Sequence, residues 1–203
     1  MGRRTLILAS RSPQRRAILG QLGVRFSVRV PEVEELAELE GGPPEEVAAE
    51  NAYRKAAAVA SKLGDTPVLG ADTPVPGADT PVLGADTIVS AGARSFGKPA
   101  GEAQARACLR ALAGRRHTVL SAVCLIEDGS ARTVLSRTLV DFRALPEPLL
   151  EWYLRSGEWR ERAGGYAIQG RGAALVAGIE GDYTGVVGLP VATLLELAPW
   201  LLI

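Results

Sequence analysis

Val82-Leu83-Gly84-Ala85-Asp86-Thr87-Ile88-Val89 is the stretch whose reading decides the fold. An apolar run that feeds an aspartate reads as a buried strand, and it places Asp86 at the strand's carboxyl end, where open α/β sheets present ligands. The stretch closes a near-exact repeat: Asp65-Thr66-Pro67-Val68-Leu69-Gly70-Ala71, Asp72-Thr73-Pro74-Val75-Pro76-Gly77-Ala78 and Asp79-Thr80-Pro81-Val82-Leu83-Gly84-Ala85. Seven residues are too few for a solenoid unit, so the repeat reads as a local tandem expansion. Pro74, Pro76 and Pro81 lack an amide donor, which suits a surface loop over about residues 66–80 rather than central strands. Asp86 alone among the copies continues into Ile88-Val89 without a proline.

Working toward the N-terminus, Pro43-Pro44 opens a helix ending at Gly64, with Ala48, Ala52, Ala56, Val59 and Leu63 at helical spacing. Before it lie an acidic segment over Glu32–Glu35, a strand at 25–30, and a helix from Pro13 to about Leu22, capped by Ser12 and stopped at Gly23. A short strand at 5–9 comes first. Toward the C-terminus, 103–113 reads as a helix with Ala105, Cys108, Leu109 and Leu112 on one face. The β-rich runs 117–126 and 132–142 meet at Asp128-Gly129, a hairpin signal. Residues 146–156 read as a helix with Trp152 and Tyr153 partly buried, 164–188 as loops and short strands, and 191–202 as an apolar helix. Alternating helices and strands with one long hairpin predict an α/β fold, a mixed sheet flanked by helices, in a single domain over 1–203.

Composition narrows the partners. Lys plus Arg and Asp plus Glu both number 23, so no basic field calls for duplex nucleic acid, and an anionic ligand must be met locally. Two cysteines, Cys108 and Cys124, are too few for a disulfide framework, which fits a reducing, cytoplasmic setting. The apolar run at 5–9 is shorter than a signal core, and none approaches the roughly 18 residues of a membrane span. A soluble protein without a membrane partner is expected.

Four places could carry chemistry. The turn Ser10-Arg11-Ser12-Pro13-Gln14-Arg15-Arg16 combines hydroxyls, helix-start amides and guanidinium groups; it reads either as a phosphate cradle or as an ordinary cap with solvated arginines. Glu35 and Asp86 are hard oxygen ligands of the kind Mg²⁺ shares with substrate phosphates, although Glu34-Glu35 reads as well as a solvated acidic loop. Lys98, between Gly97 and Pro99, is either a fixed point charge for phosphate or a turn lysine that keeps a loop soluble. Lys55 sits at the edge of its helix's apolar stripe, where its stem can pack while its ammonium reaches a neighbouring site. His117, the only histidine, reads as structural, and Cys108 as core.

Taken in order, Leu8-Ala9-Ser10-Arg11-Ser12-Pro13-Gln14-Arg15, Val33-Glu34-Glu35, Lys55, Gly84-Ala85-Asp86-Thr87-Ile88-Val89 and Gly97-Lys98-Pro99 resemble the motifs of the Maf family. The likeness continues through residues 163–170, 179–183 and 186–190, nearly the whole chain. The resemblance implies an elongated fold with two lobes about a central cleft, like inosine triphosphate pyrophosphatase. It also implies hydrolysis of a nucleoside triphosphate to monophosphate and pyrophosphate with a divalent metal, Mg²⁺ or Mn²⁺. By the same likeness Asp86 is the catalytic carboxylate, and Ser10, Arg15, Lys55 and Lys98 hold the triphosphate. Glu35 joins Asp86 at the metal, and Gln14, Thr87 and Gln169 choose the base.

Thr87 and Gln169 match the subgroup similar to dTTP and UTP pyrophosphatases, a house-cleaning role on surplus or modified pyrimidine triphosphates. Gln14 stands where that subgroup usually shows a second arginine, which leaves the base open. The repeat is the other departure, because its spacing from Lys55 favours Asp72 while the spacing to Lys98 favours Asp86. The expectation is that about two heptads loop out and Asp86 keeps the catalytic place. A nucleotide-binding regulator of septum formation with little catalysis is the competing function, and the resemblance implies a homodimer.

Overall fold

The computed structural model describes residues 5–36, 42–63 and 79–202. Most of the expected 66–80 loop, Asp72 included, therefore lies outside the described residues, and only its end, from Asp79, is seen. Among the described residues seven strands form one mixed sheet, in the order β2-β1-β3-β5-β6-β7, with β4 paired to β3 beside that path. β1 (Leu6–Ala9) runs parallel to β2 (Phe26–Val28) and to β3 (Val82–Ala91). β4 (Arg94–Phe96), β5 (Arg116–Glu127), β6 (Ser130–Phe142) and β7 (Val176–Glu180) add antiparallel pairs. The β5–β6 hairpin turns at Asp128 and Gly129, with φ of 50° and 74°, a two-residue loop whose left-handed backbone matches the twist of its strands.

Alternation along the inner strands separates two packed layers. On one face Ile7, Ala9, Val82, Leu120, Ala122 and Cys124 receive the alanine stripe of helix α2 (Pro44–Ala60). On the other, Leu6, Leu8, Leu83, Ala85, Val123 and Leu125 pack against helix α1 (Pro13–Gln21) and the chain end. A third core gathers the far part of the sheet with helices α3 (Glu102–Leu112) and α4 (Glu147–Ser156) around Tyr153, Leu150 and Leu109. The sheet is thus shared by two apolar bodies, as an aliphatic core of this size permits.

Helix α2 lies unusually close to β3. A Cβ built on Gly84 would meet the Ala52 carbonyl oxygen at 2.1 Å and the Ala56 nitrogen at 2.8 Å. Only glycine admits this approach, and the small stripe Ala48, Ala52 and Ala56 is its counterpart on the helix.

Four expectations change. Asp86 is not at a strand end: β5 pairs with β3 from Val82 to Ser90, so the strand runs on to Ala91. The strand that ends there is β1, whose last pair is Ala9 with Gly84. Residues 164–188 hold, besides β7, two short 3-10 turns and a helix α5 (Tyr183–Val187), because Gly164, Gly165, Gly170, Gly181 and Gly188 all take positive φ. The last helix, α6, covers Val191–Leu197 only and gives way to a 3-10 turn at Pro199. Tyr153 is fully buried and Trp152 is 37% exposed, so the pair expected to be alike is split by the helix face.

His117 is buried, with Nε2 2.8 Å from the Tyr166 hydroxyl and its ring edge-on to Phe142. Burial pushes its pKa from 6.5 down to about 4, against the opposing pull of Asp141. The native state therefore refuses a proton that the unfolded chain accepts below 6.5, so this contribution to stability is complete above pH 6.5 and lost as pH falls toward 4.

Two denaturation experiments check these packing arguments. Gly84→Ala should destabilise the fold by roughly 2–3 kcal/mol, since helix and strand must part, whereas Gly20→Ala, with open space around it on the exposed face of α1, should stabilise by about 0.5–1 kcal/mol. Between pH 6.5 and 5 the wild type should lose on the order of 2 kcal/mol of unfolding free energy, and His117→Phe should flatten that slope.

Candidate active site

The edge of β3 that faces away from β5 is used twice, by β1 as far as Gly84 and by β4 from Val89 onward. Between them, among the described residues, residues 85–88 have no strand neighbour on that side. Ends of parallel strands beside such a break form the crevice in which α/β sheets bind ligands. A cavity of about 820 Å³ opens there, lined from one side by Ser10, Arg15, Lys55 and Asp86 and from the other by Arg162, Tyr166 and Gln169. Its size suits a nucleotide-sized ligand.

At its centre Lys55 Nζ stands 2.6 Å from Asp86 Oδ1 and 2.8 Å from Glu35 Oε1, and donates more weakly to the Ala85 carbonyl at 3.4 Å. Lys55 is 5% exposed and Asp86 6%, so this pair is a buried one, held by Coulomb attraction that water barely screens. The close approach at Gly84 brings it about: Lys55 lies one helical turn beyond Asn51, on the face of α2 that rests on β3. Asn51 Nδ2 reaches Asp86 Oδ2 at 3.2 Å, while its amide grips the Leu36 backbone at 2.8 and 2.9 Å. One side chain therefore orients Asp86 and pins the segment that carries Glu35.

Glu35 is half-exposed and also accepts from Lys98 at 2.9 Å. Partial burial acts to raise its pKa, but the ammonium groups of Lys55 and Lys98 win and hold it at about 2. Both carboxylates and both lysines thus form one continuous charged chain. Lys98 projects from its Gly97–Pro99 turn, which is tied to the far body by Gly164 N donating to the Gly97 carbonyl at 3.1 Å.

Arg15 is 8% exposed and points inward from the first turn of α1. Its Nε donates to the Gly188 carbonyl at 2.9 Å, Nη1 to Ser10 Oγ at 3.1 Å and Nη2 to Thr87 Oγ1 at 3.3 Å. Burial lowers its pKa, with Asp86 and Glu35 acting against that. Ser10 Oγ also accepts from Ser12 N, so the Ser10 proton is left for a ligand oxygen. Ser12 caps α1, its hydroxyl accepting from Arg15 N and donating to Gln14 Oε1. Gln14 and Gln169 also line the cavity.

All nine residues singled out in the sequence border this one cavity. Of the repeat aspartates, Asp86 stands against Lys55, Asp79 lies in an exposed turn, and Asp72 is outside the described residues. Asn51 was not anticipated, although its place four residues before Lys55 puts both on one helix face. Among the described residues no three acidic, histidine or cysteine groups form a metal cage. Two carboxylates facing one cavity fit instead a Mg²⁺-like ion that takes most of its remaining ligands from phosphate and water.

Comparison with known proteins shows the family. The family model described as Maf-like protein matches residues 5–199. A dTTP/UTP pyrophosphatase of Symbiobacterium thermophilum is 42% identical over 91% of this chain and 88% of its own length. Proteins of the same name from Deinococcus radiodurans, 42% identical over 95% of this chain and 90% of theirs, and from Pyrococcus abyssi, 39% over 95% and 94%, are similar throughout. A match spanning both sides of the cavity shows that this chain belongs to the Maf family.

Proposed function

We propose that this protein hydrolyses pyrimidine nucleoside triphosphates, dTTP, UTP or modified relatives, to the monophosphate and pyrophosphate. The observation that carries the reading is the chain Asp86–Lys55–Glu35–Lys98 beside the buried guanidinium of Arg15. Displacement at phosphorus requires charge neutralisation and an oriented water more than a protein nucleophile. The name carried by the similar proteins supports the same activity.

Each residue then has a physical task. Asp86 accepts the proton of the attacking water, its orientation fixed by Asn51 and Lys55. Ser10, Arg15, Lys55 and Lys98 receive phosphate oxygens. The exposed Lys98–Glu35 pair is weakly held and exchanges its carboxylate for phosphate at small cost, whereas the buried Lys55–Asp86 pair resists separation. Glu35 and Asp86 would hold a divalent cation, which when bound neutralises charge on the phosphates. Thr87, Gln14 and Gln169 face the base. A regulator that only binds nucleotide has no need of a buried, doubly anchored carboxylate, so the hydrolytic reading is preferred.

We place the reaction in the cytoplasm, where these triphosphates and a reducing setting for Cys108 and Cys124 coincide. No helix among the described residues is long and apolar enough to cross a membrane. A homodimer is the assembly proposed, with no nucleic-acid partner.

Pyrophosphate release across a panel of pyrimidine and purine triphosphates tests the activity. Turnover of dTTP or UTP that needs Mg²⁺ or Mn²⁺ and stops with chelator is expected; tight binding with no turnover on any base would favour the regulator. Asp86→Asn should reduce kcat by about a thousandfold or more while the fold persists, and Asp79→Asn should leave kcat within about twofold. Loss of turnover in Asp72→Asn together with retention in Asp86→Asn would reverse the assignment.

A further inference from the structure

One buried hydroxyl outside the charged chain has a fixed orientation that reaches the cavity. Ser121 is 1% exposed and lies on β5 directly opposite Thr87 of β3. Its Oγ is 2.6 Å from the Gly185 carbonyl oxygen. A carbonyl has no proton, so the single Ser121 proton must lie in that short contact. Ser121 Oγ is also 3.1 Å from Thr87 Oγ1, and with its own proton already given away it can only accept there. The single Thr87 proton is therefore directed into the protein.

Arg15 completes the sense of the relay, since its Nη2 donates to Thr87 Oγ1 at 3.3 Å. Proton donation runs in one direction, from Arg15 to Thr87 to Ser121 to the Gly185 carbonyl. Thr87 nevertheless lines the cavity. What it shows to a ligand is a lone pair with no proton beside it.

From this we infer that Ser121 is a specificity-positioning residue, which makes Thr87 an obligate hydrogen-bond acceptor and so selects bases that present a ring N–H. The inference rests on the pyrimidine hydrolysis proposed above. Uracil and thymine carry an N3–H between two carbonyls, whereas the same atom of cytosine is an acceptor. Two acceptors facing each other leave both unpaired in a partly dry site, the situation in which discrimination is largest. Ser121 never touches the base; it acts by removing the alternative in which Thr87 donates.

The test compares kcat/KM for UTP, CTP and N3-methyl-UTP on the full-length protein with Mg²⁺. Wild type should prefer UTP over both of the others. In Ser121→Ala the Thr87 hydroxyl is free to turn, so the UTP-to-CTP ratio should narrow by about tenfold. Ser121→Cys, a poorer donor and acceptor of similar size, should narrow it less, and it serves if the alanine variant fails to fold. In a Thr87→Val background, Ser121→Ala should leave the ratio where Thr87→Val alone puts it.

A ratio unchanged in a Ser121 variant that still turns over UTP overturns the inference and leaves hydrolysis standing. So does a wild type that favours neither base, or a Ser121→Ala effect that persists without the Thr87 hydroxyl. Failure of wild type on every triphosphate is a different outcome, and overturns the hydrolytic reading itself.

Discussion

Helix α2 touches strand β3 at Gly84 with no room for a Cβ, and the rest of the site depends on that contact. It sets the height at which Asn51 and Lys55 reach over the sheet, and two residues further along the same strand face they meet Asp86. A helix held even a side chain's thickness away would leave the Lys55 ammonium without its 2.6 Å partner. It would also part Asn51 from the Leu36 backbone, so Glu35 would lose its anchor. Backbone proximity, a steric matter, is thus converted into the placement of three charges, those of Lys55, Asp86 and Glu35.

The sheet supplies the second half of the arrangement. Because β1 stops at Ala9 and β4 begins only opposite Val89, β3 crosses the cleft with one edge open. Successive side chains of a strand point to opposite faces. Asp86 therefore joins the α2 layer and Thr87 the α1 layer, yet both border the same cavity. Under the proposed function, phosphate chemistry and base recognition would be divided between the two faces of one strand; Arg15 contacts both Ser10 and Thr87.

Much of this was legible in the sequence because the signals are local. Ser12-Pro13, the alanine stripe of α2 and Asp128-Gly129 each announce a cap, a packed helix or a hairpin through short-range stereochemistry. The Maf-like motifs pointed to the cavity residues. Two kinds of feature were not legible. Asn51 and Ser121 are small polar residues within regular elements, and only the tertiary register that sets them beside Asp86 and Thr87 gives them a task. The position of Asp86 within its strand is not legible locally, because strand length is set by a partner, β5, whose residues paired with Asp86 to Ser90 lie 28 to 36 residues away in sequence. Spacing from Lys55 favoured a different repeat copy, since sequence distance says little about an insertion whose ends close at a cost that grows only slowly with length.

Lys55 and Asp86 are one buried electrostatic unit. A double-mutant cycle on unfolding free energy, with Lys55→Met, Asp86→Asn and both together, measures it directly. Each single change strands a buried charge and the double change removes both, so the double mutant should be more stable than additivity allows by roughly 2–3 kcal/mol. Additive effects, within about 0.5 kcal/mol, would mean that the two groups do not meet in the folded protein, and the account would fail.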